Sequence, residues 1–169
     1  MCEMAPSVDV VFDETTWALV VDEVSDPGNL GTLIRSAEAA GVTAIVLSGS
    51  TVDPWSPKVV RSSAGAVFHV PLLHDASLDD VRARGIRLLG TTSHDAIGSA
   101  VPVSLYDVDL SGALGIVVGN EAHGLPENAP VDQWITIPHL GRSESLNVAM
   151  AGTVALMHIA RMRAVDGAK

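Results

Sequence analysis

Cysteine is almost missing from this chain. Cys2 stands alone, which excludes an intramolecular disulfide and any cysteine-ligated zinc site. Bases are scarce as well: ten lysines and arginines face twenty acids, for a net charge of −10. That balance argues against a protein that holds nucleic acid by bulk electrostatics. Four of the acids (Glu3, Asp9, Asp13 and Glu14) fall in the first 16 residues, leaving sixteen acids against the ten bases in the rest. Any nucleic-acid contact therefore needs a local arginine cluster, a partner subunit or a separate domain. No uncharged apolar run of about 18 residues occurs, so no membrane span is expected. The first residues, MCEMAPSVDVVFDE, carry no basic cluster ahead of an apolar stretch, as a secretory signal would. No G-x-S-x-G is present to support serine-hydrolase chemistry. The first glycine turn is spaced G-x-x-G instead of G-x-G-x-x-G, and Lys58 follows a proline instead of a phosphate-cradling loop. The six histidines show no metal-ligand spacing. His69 sits in an apolar run and reads as a packed core residue; His74, His94 and His139 read as loop residues, His158 lies on the last helix, and His123 is a lone residue. A cytosolic enzyme, with no metal site expected, is the default.

What is present is a globular composition, 47% apolar and 18% charged over 169 residues, enough for one domain with a sizeable core. Short apolar runs at Ala18–Val21, Ala44–Leu47, Val67–Val70, Ile86–Leu89, Leu114–Val118 and Trp134–Ile137 read as strands. Helical stretches lie between and after them at Leu30–Ala40, Pro57–Ala64, Leu78–Arg84 and Ser145–Arg163. Continuous apolar strands alternating with helices predict an α/β fold, a mostly parallel sheet with helices on both faces. Residues 1–16 read as a lead-in and residues 92–112 as a loop with one helical turn. On the last helix, Leu146, Met150, Val154, Met157 and Ala160 recur near helical spacing and predict its core stripe.

Ligands of such sheets gather at the carboxyl ends of the strands, where three junctions are rich in glycine and polar residues. Asp26-Pro27-Gly28-Asn29-Leu30-Gly31 follows the first strand; it reads as a tight turn feeding a helix. Arg35 lies six residues beyond Asn29, either reaching back to a ligand or solvated on the helix. Val118-Gly119-Asn120-Glu121-Ala122-His123-Gly124-Leu125-Pro126 holds one carboxylate between glycines, which allow close backbone approach to a flat ligand; the bland alternative is a surface turn. Trp134-Ile135-Thr136-Ile137-Pro138 leads through a polar turn into Ser145-Leu146-Asn147, either a ligand site or an N-cap serine with a packed leucine. The segment Arg61-Ser62-Ser63-Ala64-Gly65-Ala66 either follows a phosphate backbone or packs a helix end closely.

Together these stretches resemble the SpoU (TrmH-like) branch of the SPOUT RNA methyltransferases. The matching motifs are Asn29 to Ala37, Gly119 to Leu125, and Ile135 to Pro138 with Ser145 to Ala149, in the family's order and separation. The likeness covers residues 17–163, with Arg61 to Ala66 similar to the family's intermediate segment. The resemblance implies a SPOUT-type fold with a C-terminal trefoil knot, a homodimer whose active site draws on both subunits, and S-adenosylmethionine as cofactor. It implies methylation of a ribose 2′-hydroxyl of tRNA or ribosomal RNA in the cytoplasm. Carried over, Gly119, Asn120, Ile137, Pro138 and Leu146 hold the cofactor, while Asn29, Arg35, Glu121, Ser145 and Asn147 form the catalytic set. Arg61, Ser63 and Arg142 contact RNA. Since a neutral guanidinium is costly, Arg35 is expected to clamp a phosphate instead of acting as base, its geometry fixed by Glu121 and Asn29. Residues 1–16 resemble a linker or the remnant of an N-terminal RNA-binding domain ahead of a catalytic domain at 17–169. A base methyltransferase of a neighbouring branch is disfavoured by Ser-Leu-Asn. A binding module without turnover is disfavoured by the intact Asn29, Arg35, Glu121 and Asn147.

Overall fold

The computed structural model of the chain describes residues 12–166. Cys2 and most of the expected lead-in lie outside the described residues. Seven strands form one sheet: β1 (Trp17–Asp22), β2 (Ala44–Ser48), β3 (Leu72–Leu73), β4 (Arg87–Thr91), β5 (Val103–Ser104), β6 (Leu114–Val118) and β7 (Gln133–Thr136). Their spatial order is β3-β2-β1-β6-β4-β7-β5, and every pairing is parallel. The helices are α1 (Pro27–Ala40), α2 (Pro57–Ser62), α3 (Leu78–Ala83) and α4 (Val148–Asp166). The α/β expectation holds.

Side chains alternate across a strand, and here the alternation divides two cores. Leu19 and Val21 of β1 join Leu30, Leu33, Ile34, Val59, Ala155, Leu156 and Ile159 under α1, α2 and α4. Val20, between them, points to the other face, with Val46, Leu78, Val81, Leu88, Val117 and Trp134 around α3. Close helix packing depends on absent side chains. A Cβ on Gly31 would fall 1.9 Å from the Ser62 hydroxyl where α1 meets α2, and one on Gly152 would fall 2.3 Å from a Leu33 methyl where α4 meets α1.

Four expectations need correction. The run Val67–Val70 is not a strand. Ala64 and Gly65 take positive φ, a 3₁₀ turn follows at Ala66–Phe68, and strand pairing is confined to Leu72–Leu73. Val67 and Val70, three residues apart, are buried on one side while Phe68 and His69 face outward. His69 is accordingly no core residue; it lies 3.6 Å from Glu38. The loop 92–112 contains an additional edge strand, β5. The expected core stripe is mostly turned outward: Met150 (50%), Val154 (37%) and Met157 (48%) on α4 and Leu146 (38%) just ahead of it are exposed, and Ala160 alone packs against the core. The buried face is Ala149, Gly152, Ala155, Leu156 and Ile159, of which the alanines and the glycine let the helix lie close on α1. Within α4, Val148–Val165 is long and apolar enough to cross a membrane by length and composition. Its inner face packs on α1 and β6, and Arg163 ties its end to the carbonyls of Thr15 and Gly112.

Candidate active site

The carboxyl ends of β1, β6 and β7 feed the three polar junctions, and the first two sit side by side because β1 pairs with β6. Asp26 caps α1: its carboxylate accepts from the backbone N–H of Gly28 (2.7 Å) and of Asn29 (2.9 Å), with Pro27 in the first turn, where a missing N–H costs nothing. Asn147 caps α4 in the same way, accepting from Ala149 (2.9 Å) and Met150 (3.3 Å). The capping residue is thus Asn147 and not Ser145, whose exposed side chain lies upstream of the helix.

Glu121 reaches from the β6 loop across to the start of α1. Its carboxylate accepts from the backbone N–H of Asp26 (2.9 Å), the side-chain amide of Asn29 (3.1 Å), and both the N–H and hydroxyl of Ser25 (3.2 Å each). Partial burial alone would raise its pKa. The hydrogen bonds from Asp26, Asn29 and Ser25 outweigh that and hold the carboxyl at about 2. Asn29 in turn accepts from the amide of Asn147 at 3.1 Å. One hydrogen-bonded relay, Asn147 to Asn29 to Glu121, therefore joins all three junctions.

Asn120 builds the β6 loop. Its amide donates to the Glu23 carbonyl (2.9 Å), at a residue held at φ 56°, and its carbonyl oxygen accepts from Ala122 (2.9 Å) and His123 (3.3 Å). The loop closes by a bond from Gly124 N–H to the Asn120 carbonyl (2.9 Å). Gly119 has to be glycine for this closure, since a Cβ there would lie 2.5 Å from the Gly124 carbonyl carbon and 2.6 Å from the Leu125 nitrogen. Gly119→Ala is expected to destabilise the fold by roughly 1–3 kcal/mol, the usual cost of overpacking. It should also remove ligand binding at the loop, both readable by thermal melting with and without ligand.

Between the β4 and β6 loops lies a cleft of about 300 Å³, lined by His94, Ala96, Ile97, His123, Leu125, Pro126 and Glu127. Ile97 and Leu125 are its buried apolar walls. None of the expected cofactor residues lines it, although Gly119 lies directly behind Leu125. Ile137 is half-buried against the main core, and Pro138 and Leu146 are exposed. His139 spans the intervening loop, its ring nitrogens 3.2 Å from the Ile137 carbonyl and 2.7 Å from that of Ser143. Those two carbonyls raise its pKa by favouring a proton on each nitrogen.

The other expected site residues fall apart from this relay. Arg35 is exposed and has no hydrogen-bond or ion-pair partner among the described residues. Six residues place it about 9 Å along α1 from Asn29 and about 120° around it. Glu121 and Asn29 consequently fix Arg35 only by fixing the helix that carries it, not by contact. Arg61 and Arg142 are exposed, but Ser63 is fully buried with its hydroxyl donating to the Val60 carbonyl at 3.0 Å. Ser63 closes its own helix and is not available to RNA. The sequence reading missed Ser25 and the capping role of Asp26. The signal for the latter was Asp-Pro ahead of a helix, an N-cap followed by a first-turn proline.

A family model described as the SpoU rRNA Methylase family matches residues 16–157. The chain is 36% identical over 146 residues to a 23S rRNA (guanosine(2553)-2′-O)-methyltransferase of Bacillus subtilis, covering 83% of this chain and 56% of that protein. It is 33% identical over 156 residues to a 23S rRNA (uridine(2479)-2′-O)-methyltransferase of Streptomyces viridochromogenes, covering 86% and 52%. The chain thus spans little more than half the length of these relatives. Among solved structures, the AdoMet complex of the SpoU methyltransferase AviRb from S. viridochromogenes superposes with a TM-score of 0.81 at 32% identity, covering 95% of this chain and 63% of that one.

Proposed function

We propose that this chain, which belongs to the SpoU rRNA methylase family, transfers a methyl group from S-adenosylmethionine to a ribose 2′-hydroxyl of ribosomal or transfer RNA. Residues 17–169 act as the catalytic domain. The observation that carries the reading is the Asn147–Asn29–Glu121 relay, which brings the family's three motifs into one hydrogen-bonded unit at the carboxyl edge of a parallel sheet. The cleft beside the β6 loop fits the cofactor's chemistry: Ile97 and Leu125 offer apolar walls to a purine, and the Glu127 carboxylate a counter-charge to a cationic group. The family resemblance assigns further cofactor contacts to the backbone of Gly119, Asn120, Ile137, Pro138 and Leu146, of which Gly119 lies directly behind Leu125.

The cofactor contributes a methyl group already activated on a positively charged sulfur. What the protein must add is alignment of the ribose and an exit for the hydroxyl proton. Alignment alone is worth roughly 7–11 kcal/mol in the best intramolecular cases. Arg35, charged at any physiological pH, clamps the phosphate beside the target ribose; Ser145 and Asn147 shape the pocket.

In this reading Arg35, exposed and without a partner among the described residues, serves the site of a second copy. The apolar stripe Leu146, Met150, Val154 and Met157 supports a homodimer, because a second copy would cover it as solvent does not. The reading places the chain in the cytoplasm, with Arg61 and Arg142 as local RNA contacts in an otherwise acidic protein.

Incubation with methyl-labelled S-adenosylmethionine and unmodified tRNA and 23S rRNA, followed by nucleoside digestion, tests the proposal. The expected product is a single 2′-O-methylnucleoside. A methylated base, or cofactor binding without product, would overturn it.

A further inference from the structure

Residues 54–74, between Asp53 and Asp75, contain two bases, two histidines and no acid, in a chain with twenty acids. The same stretch carries the exposed aromatic Phe68, 66% accessible. Its ring centroid lies 5.9 Å from that of Trp55 at an interplanar angle of 37°, and Trp55 lies 6.4 Å from the His74 ring at 30°. The cluster is anchored at both rings. Trp55 packs against the main core, and its backbone N–H is held by the Asp53 carboxylate at 2.9 Å. Phe68 is fixed by the 3₁₀ turn whose Val67 is buried. A large apolar ring held outward with no intramolecular need is informative in a way that a scattered surface leucine is not.

Resting on the RNA-methylating reading above, we infer that Trp55 and Phe68 form a stacking platform for an unpaired base of the RNA substrate, with Lys58 and Arg61 contacting the adjoining phosphates. Unpaired bases are recognised by stacking on aromatic faces beside a positive track. Trp55 follows β2 and His74 follows β3, at the carboxyl edge that also bears the relay, while Phe68 precedes β3 and its neighbour His69 lies 3.6 Å from Glu38 towards the far end of α1. Across the sheet, three strand spacings separate β3 from β6, about 14 Å, an offset that several nucleotides of one RNA strand can span. α2, with Lys58 and Arg61, bridges them: the Ser62 hydroxyl donates to the Pro27 carbonyl at 2.9 Å, and Lys58 lies 3.9 Å from Asp26 at the start of α1.

The test measures binding of a short single-stranded oligouridylate and of a blunt duplex of equal length, alongside S-adenosylmethionine affinity. Phe68→Ala is expected to weaken single-strand binding about 5- to 150-fold, the range for one lost stacking partner. Phe68→Trp should restore it, duplex binding should change little, and cofactor affinity should not move. Trp55→Phe, which keeps an aromatic ring against the core, should fold and bind like wild type. Unchanged single-strand affinity in Phe68→Ala would overturn the platform, as would a change in sedimentation of Phe68→Ala with RNA affinity intact, which would make the patch a protein contact. Failure of the wild-type chain to bind S-adenosylmethionine at all would instead count against the methyltransferase reading.

Discussion

Arg35→Ala is expected to lower kcat by about 10²–10³-fold, the range for removing one preorganised charged donor from an active site. Its folding stability should stay within about 0.5 kcal/mol of wild type, because the side chain is exposed and has no partner among the described residues. Cofactor affinity should not change, since in this reading Arg35 grips the RNA phosphate and not the cofactor. Arg35→Lys should recover only part of the rate: it keeps the charge but loses the planar fork that grips a phosphate through two hydrogen bonds. The decisive arm mixes lesions. If Arg35 serves the partner's site, co-expressed Arg35→Ala and Asn147→Ala chains form heterodimers with one intact site, and random pairing returns about a quarter of wild-type activity. If it serves its own site, every site carries a lesion and nothing returns. Stopped turnover in the mixture, with a dimer shown by sedimentation, would place Arg35 in cis and contradict the shared-site reading.

The sequence made the sheet easy to read where strands are buried on both faces. β1, β2 and β6 are unbroken apolar runs, and their positions follow within a residue or two. It misled where an apolar run fits more than one period. Val67 and Val70 satisfy a turn as well as a strand, and the positive φ at Ala64, rare for a residue with a Cβ, could not be anticipated. The last helix was misjudged for a related reason. α4 is apolar nearly all round, so periodicity alone could not tell which side faces the core; alanine and glycine took the inner face because α1 lies so close. The site residues were legible through motifs, yet their connection was not. That Asn29 would hold both Glu121 and Asn147, 92 and 118 residues away, is a product of strand order.

Glu121→Gln tests that connection directly. Glutamine keeps the length but replaces one acceptor oxygen with an amide that faces the donors of Ser25, Asp26 and Asn29. Hydrogen bonds to a charged group are worth about 1.5–3 kcal/mol each when protected. Exposure of this carboxylate reduces the total to about that of a single such bond, roughly 1–2 kcal/mol. The melting temperature at neutral pH should therefore fall by about 2–8 °C for a chain of this size. The pH dependence has a definite sign. A carboxyl held at about 2 instead of its ordinary 4.5 stabilises the fold fully above about pH 4.5 and loses that contribution as pH falls towards 2. The gap between wild type and Glu121→Gln should accordingly be constant from neutral pH to about 4.5 and close below it. Turnover should fall by about 10²-fold at neutral pH, because a shift of about 1 Å at the start of α1 propagates to both Asn29 and Arg35. Wild-type melting together with wild-type turnover in Glu121→Gln would mean that the three junctions hold their places without the carboxylate. The relay would then be a consequence of the fold and not the device that assembles the site.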